Sequence, residues 1–154
     1  MDKEGHAIEI RKVKPEDIDG IALVETQSFT IPWSRQMFAD ELNNPLALYY
    51  VATCEDKVIA YAGLWIIADE GHITNVAVEP SWRRQQIAAR MMQKILEAAE
   101  EYKLSGLTLE VRAGNQPAIS LYQKFGFQVE GRRRGYYSDD HEDALIMWFH
   151  RNSL

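Results

Sequence analysis

A turn carrying Arg83 and Arg84 separates an alternating run, Asn75-Val76-Ala77-Val78, from a long amphipathic stretch. A strand that delivers the chain to a helix start gathers unpaired backbone N–H groups and the positive end of the helix dipole at one point. Two guanidinium groups add full charge there, so the turn is suited to a di- or triphosphate. Adjacent arginines are also what an ordinary solvated surface pair looks like, and the motif alone leaves both readings open. A second group of residues is suited to proton transfer. In Leu107-Thr108-Leu109-Glu110-Val111, alternation puts the three apolar side chains on one face and Thr108 and Glu110 on the other, and Tyr122 follows within a short helical pattern. A carboxylate can take a proton from an amine, and a phenol can return one to a leaving group. Glu110 fits a solvated sheet face or a pair with Arg112 equally well. Tyr122, one helical turn from Ala118 or Ile119 and from Phe125 or Gly126, also fits core packing.

The elements that must position these residues can be read coarsely. A strand is expected over about 7–13, then a helix opening after Lys14-Pro15-Glu16-Asp17, with Pro and acidic residues in its first turn. Ser34 is placed to cap a helix over 35–42 that stops at Asn43-Asn44-Pro45. Strands follow at about 48–53, 58–67 and 72–78, the first two joined by Glu55-Asp56-Lys57. Ile87, Met91, Ile95, Ala98 or Ala99, and Tyr102 recur at three- and four-residue spacing and predict a helix from about Arg84 to Lys103. Beyond it come a strand at 107–111, a helix at 117–125 with Asn115 as its cap, and strands near 127–133 and 144–149. Hairpins before the long helix and strands alternating with helices after it predict a mixed three-layer α/β sheet. The chain has 154 residues, 46% of them hydrophobic, and no linker, repeat or low-complexity segment divides it, so 1–154 reads as one domain.

Composition excludes several functions. Cys54 is the only cysteine, so no intramolecular disulfide or multi-cysteine metal site can form, and its apolar surroundings suit a small strand residue. His141 and its acidic neighbours match no recognised ligand spacing, so no metal is expected. His72 reads as a strand residue, not a catalyst. A formal charge of −6 disfavours direct nucleic-acid contact and is compatible with a basic peptide partner. Asp139, Asp140, Glu142 and Asp143 would give such a peptide a negative rim, or form an ordinary solvated turn. No signal peptide or membrane span is apparent, and a cytoplasmic protein is expected.

The run Arg83-Arg84-Gln85-Gln86-Ile87-Ala88 resembles the acetyl-CoA signature of the GNAT N-acetyltransferases: Gln or Arg, two variable residues, Gly, one variable residue, then Gly or Ala. Gln86 departs from it, where the usual Gly permits an unusual backbone angle and a close approach to pyrophosphate. The longer segment from Leu109 to Phe127 strongly resembles the RimI-type ribosomal-protein alanine acetyltransferases. Glu25-Thr26-Gln27-Ser28-Phe29 with Pro32-Trp33-Ser34, and Arg133-Arg134-Gly135-Tyr136-Tyr137 with Glu142-Asp143-Ala144, extend that similarity over nearly the whole chain. The resemblance implies a largely antiparallel sheet whose two central parallel strands splay apart around the cofactor, flanked by helices. It implies acetyl-CoA held by Val76, Ala77 and Val78, by Arg83, Arg84, Gln85, Gln86, Ile87, Ala88 and Ala89, and by Asn115. Glu110 would be general base and Tyr122 general acid, with Trp33, Tyr136 and Tyr137 beside the incoming peptide.

Elementary acid–base chemistry bears on the acceptor. A chain-terminal amine with a pKa near ~8 is neutral about a tenth of the time at pH 7, and a lysine near ~10.4 well under a thousandth. An α-amine therefore needs about 3 kcal/mol less deprotonation work. The expectation is acetyl transfer to a protein N-terminus, in the resembled family the alanine of small-subunit ribosomal protein eighteen. A different protein N-terminus, a lysine, a small-molecule amine, and a weakly catalytic acyl-CoA-binding module are the alternatives. Oligomeric state is left open.

Overall fold

The computed structural model describes residues 7–29, 32–83 and 86–151. In chain order they form β1 (Ile8–Lys12), a 3-10 turn (Pro15–Asp17), α1 (Ile18–Ser28), α2 (Arg35–Leu42), β2 (Ala47–Cys54), β3 (Lys57–Ile67) and β4 (Glu70–Val78). A second 3-10 turn (Pro80–Trp82), α3 (Ile87–Glu101), β5 (Gly106–Arg112), α4 (Gln116–Lys124), β6 (Gln128–Arg133) and β7 (Ala144–His150) follow. The strands run in the sheet order β1-β2-β3-β4-β5-β7-β6. β1–β2, β2–β3, β5–β7 and β6–β7 are antiparallel, and β4–β5 is parallel. The parallel register covers only Glu70↔Gly106, Gly71↔Leu107 and His72↔Thr108, although β4 continues to Val78 and β5 to Arg112. This is the mixed, mostly antiparallel α/β sheet with flanking helices that the sequence predicts.

The chain folds as two compact units, Met1–Trp65 with Thr74–Ile95, and Ile66–Ile73 with Leu96–Leu154. In the first, Ile21, Val24, Phe38, Tyr49, Val51, Val58, Tyr61 and Ala77 form a buried cluster. Removing each large aliphatic side chain from water contributes roughly 1.5–3 kcal/mol. Glu55 and Asp56 both take positive φ, as a two-residue hairpin of primed type requires, and this joins β2 to β3. The Ser34 hydroxyl accepts from the Met37 N–H at 3.2 Å and starts α2. Asn44 accepts from the Leu46 N–H at 2.9 Å in a side-chain turn that leads out of it. Asp17, 5% exposed, accepts two bonds from Arg11 at 2.7 and 2.9 Å and one from the Lys14 N–H at 2.7 Å, tying β1 to the turn before α1. These donors hold its carboxyl below the usual range, led by the Arg11 hydrogen bond and opposed by burial.

Two polar groups in this unit are carried by specific partners. Buried Glu25 accepts from the Trp33 backbone N–H at 2.9 Å and from the Tyr61 hydroxyl, and Asn75 Nδ2 donates to that hydroxyl at 3.0 Å. Burial, and then the Glu25 charge, push the Tyr61 hydroxyl far up. Glu41 Oε2 accepts from Trp65 Nε1 at 2.7 Å and from the Tyr49 hydroxyl at 3.1 Å. The Tyr49 ring reaches there by lying across Gly63, where any Cβ would stand 2.5 Å from ring carbons.

The long helix differs from its prediction at both ends. It opens at Ile87, because Gln86 at φ 65° lies in the left-handed region and cannot belong to it. At the other end Tyr102 is 43% exposed, while Met92, off the predicted stripe, is fully buried. In the second unit α3 closes on Lys103 at φ 55°, with Lys103 N–H to Glu100 and Leu104 N–H to Ala99 carbonyls at 3.2 and 2.9 Å. That pairing satisfies the last carbonyls and buries Leu104. Asn115 Oδ1 accepts from the Ala118 N–H at 3.3 Å and caps α4, with Pro117 in its first turn. Phe127, 1% exposed, packs between Tyr122 and Phe149 with ring centroids 6.0 and 5.6 Å away. Among the described residues no helix is long and apolar enough to cross a membrane.

Candidate active site

In the first unit the end of β4 leads through Pro80–Trp82 to the start of α3. Ala77 and Val78 are buried and Val76 is half-buried. Arg83 folds back, its Nε donating to the Val78 carbonyl at 3.1 Å, so part of its guanidinium and that carbonyl have internal partners. Arg84 and Gln85 lie outside the described residues. The Gln86 carbonyl accepts the first bond of α3, from Arg90 N–H at 3.1 Å, which leaves the N–H groups of Ile87, Ala88 and Ala89 without intrahelical acceptors. Buried Ile87 fixes the helix start, and small Ala88 and Ala89 allow close approach.

Gln86 answers the question raised by its identity. The chain keeps the left-handed angle a glycine would supply, at a cost of roughly 1–2 kcal/mol for a residue with a Cβ. Its side chain is exposed. These groups fit a phosphate of acetyl-CoA: amide donors at a helix start, the positive end of the helix dipole and Arg83. Gln86→Gly is expected to tighten acetyl-CoA by up to about tenfold, equivalent to ~1.4 kcal/mol. Calorimetric titration checks this, and weaker binding by the variant would identify the Gln amide as a ligand.

The second unit gathers proton-transfer groups. His72 on β4 pairs in register with Thr108 of β5, and Glu110 lies two residues further along the same face. His72 Nε2 is 2.8 Å from Glu110 Oε2. Glu110 is half-buried, and its carboxyl is held below the usual range. The leading cause is the His72 hydrogen bond; burial opposes it, and the charges of His72 and Arg133 and the Tyr136 hydroxyl add to it. Sequence reasoning placed Glu110 on a polar face and His72 on a strand, as the structure has them, but did not foresee the contact between them. The signal available was a histidine on a strand adjoining one with Thr108 and Glu110 on a single face.

Tyr122 is 9% exposed, and burial, with a smaller contribution from Tyr137, pushes its hydroxyl up to about 12. It is both a packing residue against Phe127 and a phenol kept protonated at neutral pH. Tyr136 is 48% exposed and meets the Tyr137 ring edge-on at 5.0 Å. Trp33 belongs to the first unit, where it packs on Phe38 at 5.5 Å and borders the buried cluster. The acids of the expected negative rim also have internal partners. Asp139, Asp140 and Glu142 all pair with Arg112, and Asp143 pairs with Arg132. Glu110 and Arg112, a pairing the sequence left open, each have these other partners. Among the described residues no cluster of His, Cys, Asp and Glu could hold a metal, and Cys54 is buried on β2.

Comparison with known proteins gives these arrangements a family. The model of the acetyltransferase (GNAT) family matches residues 18–127. A Bacillus subtilis protein provisionally named a ribosomal protein bS18-alanine N-acetyltransferase is 42% identical over 140 residues, covering 90% of this chain and 93% of its own. The Escherichia coli enzyme of that name is 32% identical, covering 90% and 94%. The crystal structure of the Escherichia coli ribosomal-protein-S18-alanine N-acetyltransferase superposes with a TM-score of 0.89 at 30% identity, over 96% of each chain. The chain belongs to the GNAT family and is an acetyl-CoA-dependent acetyltransferase.

Proposed function

We propose that this enzyme acetylates the N-terminal α-amine of a protein, with the alanine terminus of small-subunit ribosomal protein eighteen as its substrate, in the cytoplasm. The observation that carries the proton chemistry is the Glu110–His72 pair at 2.8 Å. The named activity of the two bacterial relatives supports the acceptor, as does the lower deprotonation work of an α-amine. The family match runs through both units, which supports reading 1–154 as one catalytic domain.

Acetyl-CoA brings the activated acyl group. Backbone N–H groups at the start of α3, with Arg83, Arg84 and Gln85, hold its phosphates; Val76, Ala77 and Val78 serve its remaining length. Glu110, with His72 sharing its charge, accepts the ammonium proton directly or through water, which frees the amine to attack. Tyr122 presents its hydroxyl to the departing sulfur. Tyr136 and Tyr137 line the approach of the peptide. A weakly catalytic acyl-CoA-binding module was suggested by Gln86; against it stands the left-handed angle that Gln86 retains.

Mass spectrometry on two basic peptides tests the proposal, one with a free N-terminal alanine and no lysine, the other N-terminally blocked with an internal lysine. Selective acetylation of the first is expected. Acetylation of the second alone would move the acceptor to lysine, and acetylation of neither, with acetyl-CoA bound, to a small-molecule amine.

A further inference from the structure

We propose that Arg112 is a positioning residue that holds the segment 135–143, which carries Tyr136 and Tyr137, against the end of β5, and so shapes the peptide side of the site. This rests on the N-terminal acetyltransferase reading above.

The strands on either side anchor this segment at its base, and the Tyr136 hydroxyl meets Glu110 of β5. At the base the Ala113 N–H donates to the Asp143 carbonyl at 2.9 Å, and Asp143 accepts from the Gly135 N–H at 2.8 Å and from Arg132 at 2.7 Å. Its tip is gathered chiefly around one side chain. Arg112 Nη2 reaches both oxygens of Asp139 at 2.8 and 3.0 Å, while Nη1 reaches Asp140 at 3.0 Å and Glu142 at 3.2 Å. The face of the same guanidinium lies 4.0 Å from the Tyr137 ring centroid. A planar fork can make all of these contacts at once, and a lysine ammonium cannot.

The second carboxylate oxygen of Glu142 accepts from the Gly114 N–H at 2.7 Å, so close that a Cβ on Gly114 would stand 2.8 Å from it. Arg112 is two residues from Glu110 in β5. The strand that presents the carboxylate therefore also fixes the two tyrosines opposite the acceptor. An isolated exposed ion pair contributes little. Here, removing the cation leaves three carboxylates facing a vacated centre, and like charges so placed repel.

Arg112→Ala and Arg112→Lys, assayed on the alanine peptide and followed by amide hydrogen exchange, test this. Arg112→Ala is expected to raise the KM for peptide about tenfold or more, with kcat changed by less than about threefold and the KM for acetyl-CoA unmoved. Exchange should quicken at 135–143 alone. Arg112→Lys should fall between Arg112→Ala and the unaltered enzyme in both readouts, because it keeps the charge without the fork. Unchanged peptide KM in both variants overturns the proposal, as does unchanged exchange at 135–143. If the unaltered enzyme modifies no N-terminal peptide, the acceptor reading fails by itself. Exchange confined to 135–143 in Arg112→Lys would then still support the clamp, and its absence would overturn it.

Discussion

Glu110→Gln is expected to lower kcat by about 10²–10⁴-fold while acetyl-CoA binding stays within about twofold, the loss typical of a positioned general base. Gln keeps the shape of the side chain and an oxygen to accept from His72, so the effect isolates the proton-accepting charge. The depressed pKa of Glu110 fixes the pH behaviour. A carboxyl lowered chiefly by the His72 hydrogen bond is ionised throughout the neutral range, and its charge is lost only as pH falls through that depressed value. Glu110 is therefore already able to take the ammonium proton across about pH 6 to 8, and kcat/KM should show no limb from this carboxyl over that range. His72→Gln replaces the hydrogen bond that leads the depression and shifts the acid limb upward, toward the ordinary carboxyl range. A Glu110→Gln enzyme with unaltered kcat would remove Glu110 from the mechanism.

Tyr122→Phe should cost less, about 10–100-fold in kcat, with the KM for acetyl-CoA within about threefold. Burial pushes the Tyr122 hydroxyl up to about 12. Full proton transfer to a thiolate whose acid has a pKa near ~8.5 is thus uphill by roughly 3.5 units. The hydroxyl helps mainly by a hydrogen bond to the developing charge, which is why the expected loss lies at the low end of general-acid effects. Phe retains the ring that packs on Phe127, so thermal unfolding of the variant should be close to that of the unaltered enzyme. Rates equal to those of the unaltered enzyme would leave Tyr122 as a packing residue alone.

The parts legible in sequence were those governed by local rules. Ser34 and Asn115 cap their helices because a short polar side chain before an apolar pattern has few better partners than the first-turn N–H groups. The hairpin at Glu55-Asp56 and the alternation of β5 follow from turn composition and a period of two. What escaped depended on register. His72 and Glu110 are 38 residues apart, and three parallel pairs decide that they meet. Arg112 and the acids at 139–142 are joined by the β5–β7 pairing in the same way, so a charge run that reads as a solvated turn is also gathered around one arginine. The start of α3 was misplaced because glutamine carries no signal for a positive φ, whereas glycine would have announced it.

That last residue bears on how kinship is recognised in such chains. At Gln86 the left-handed dihedral angle stands without the glycine that the letters of the signature call for. A signature spelled in letters scores this position as a mismatch, while one spelled in backbone geometry scores it as a match. Relatives whose phosphate turn has drifted further in composition would remain detectable by the second spelling after the first has lost them.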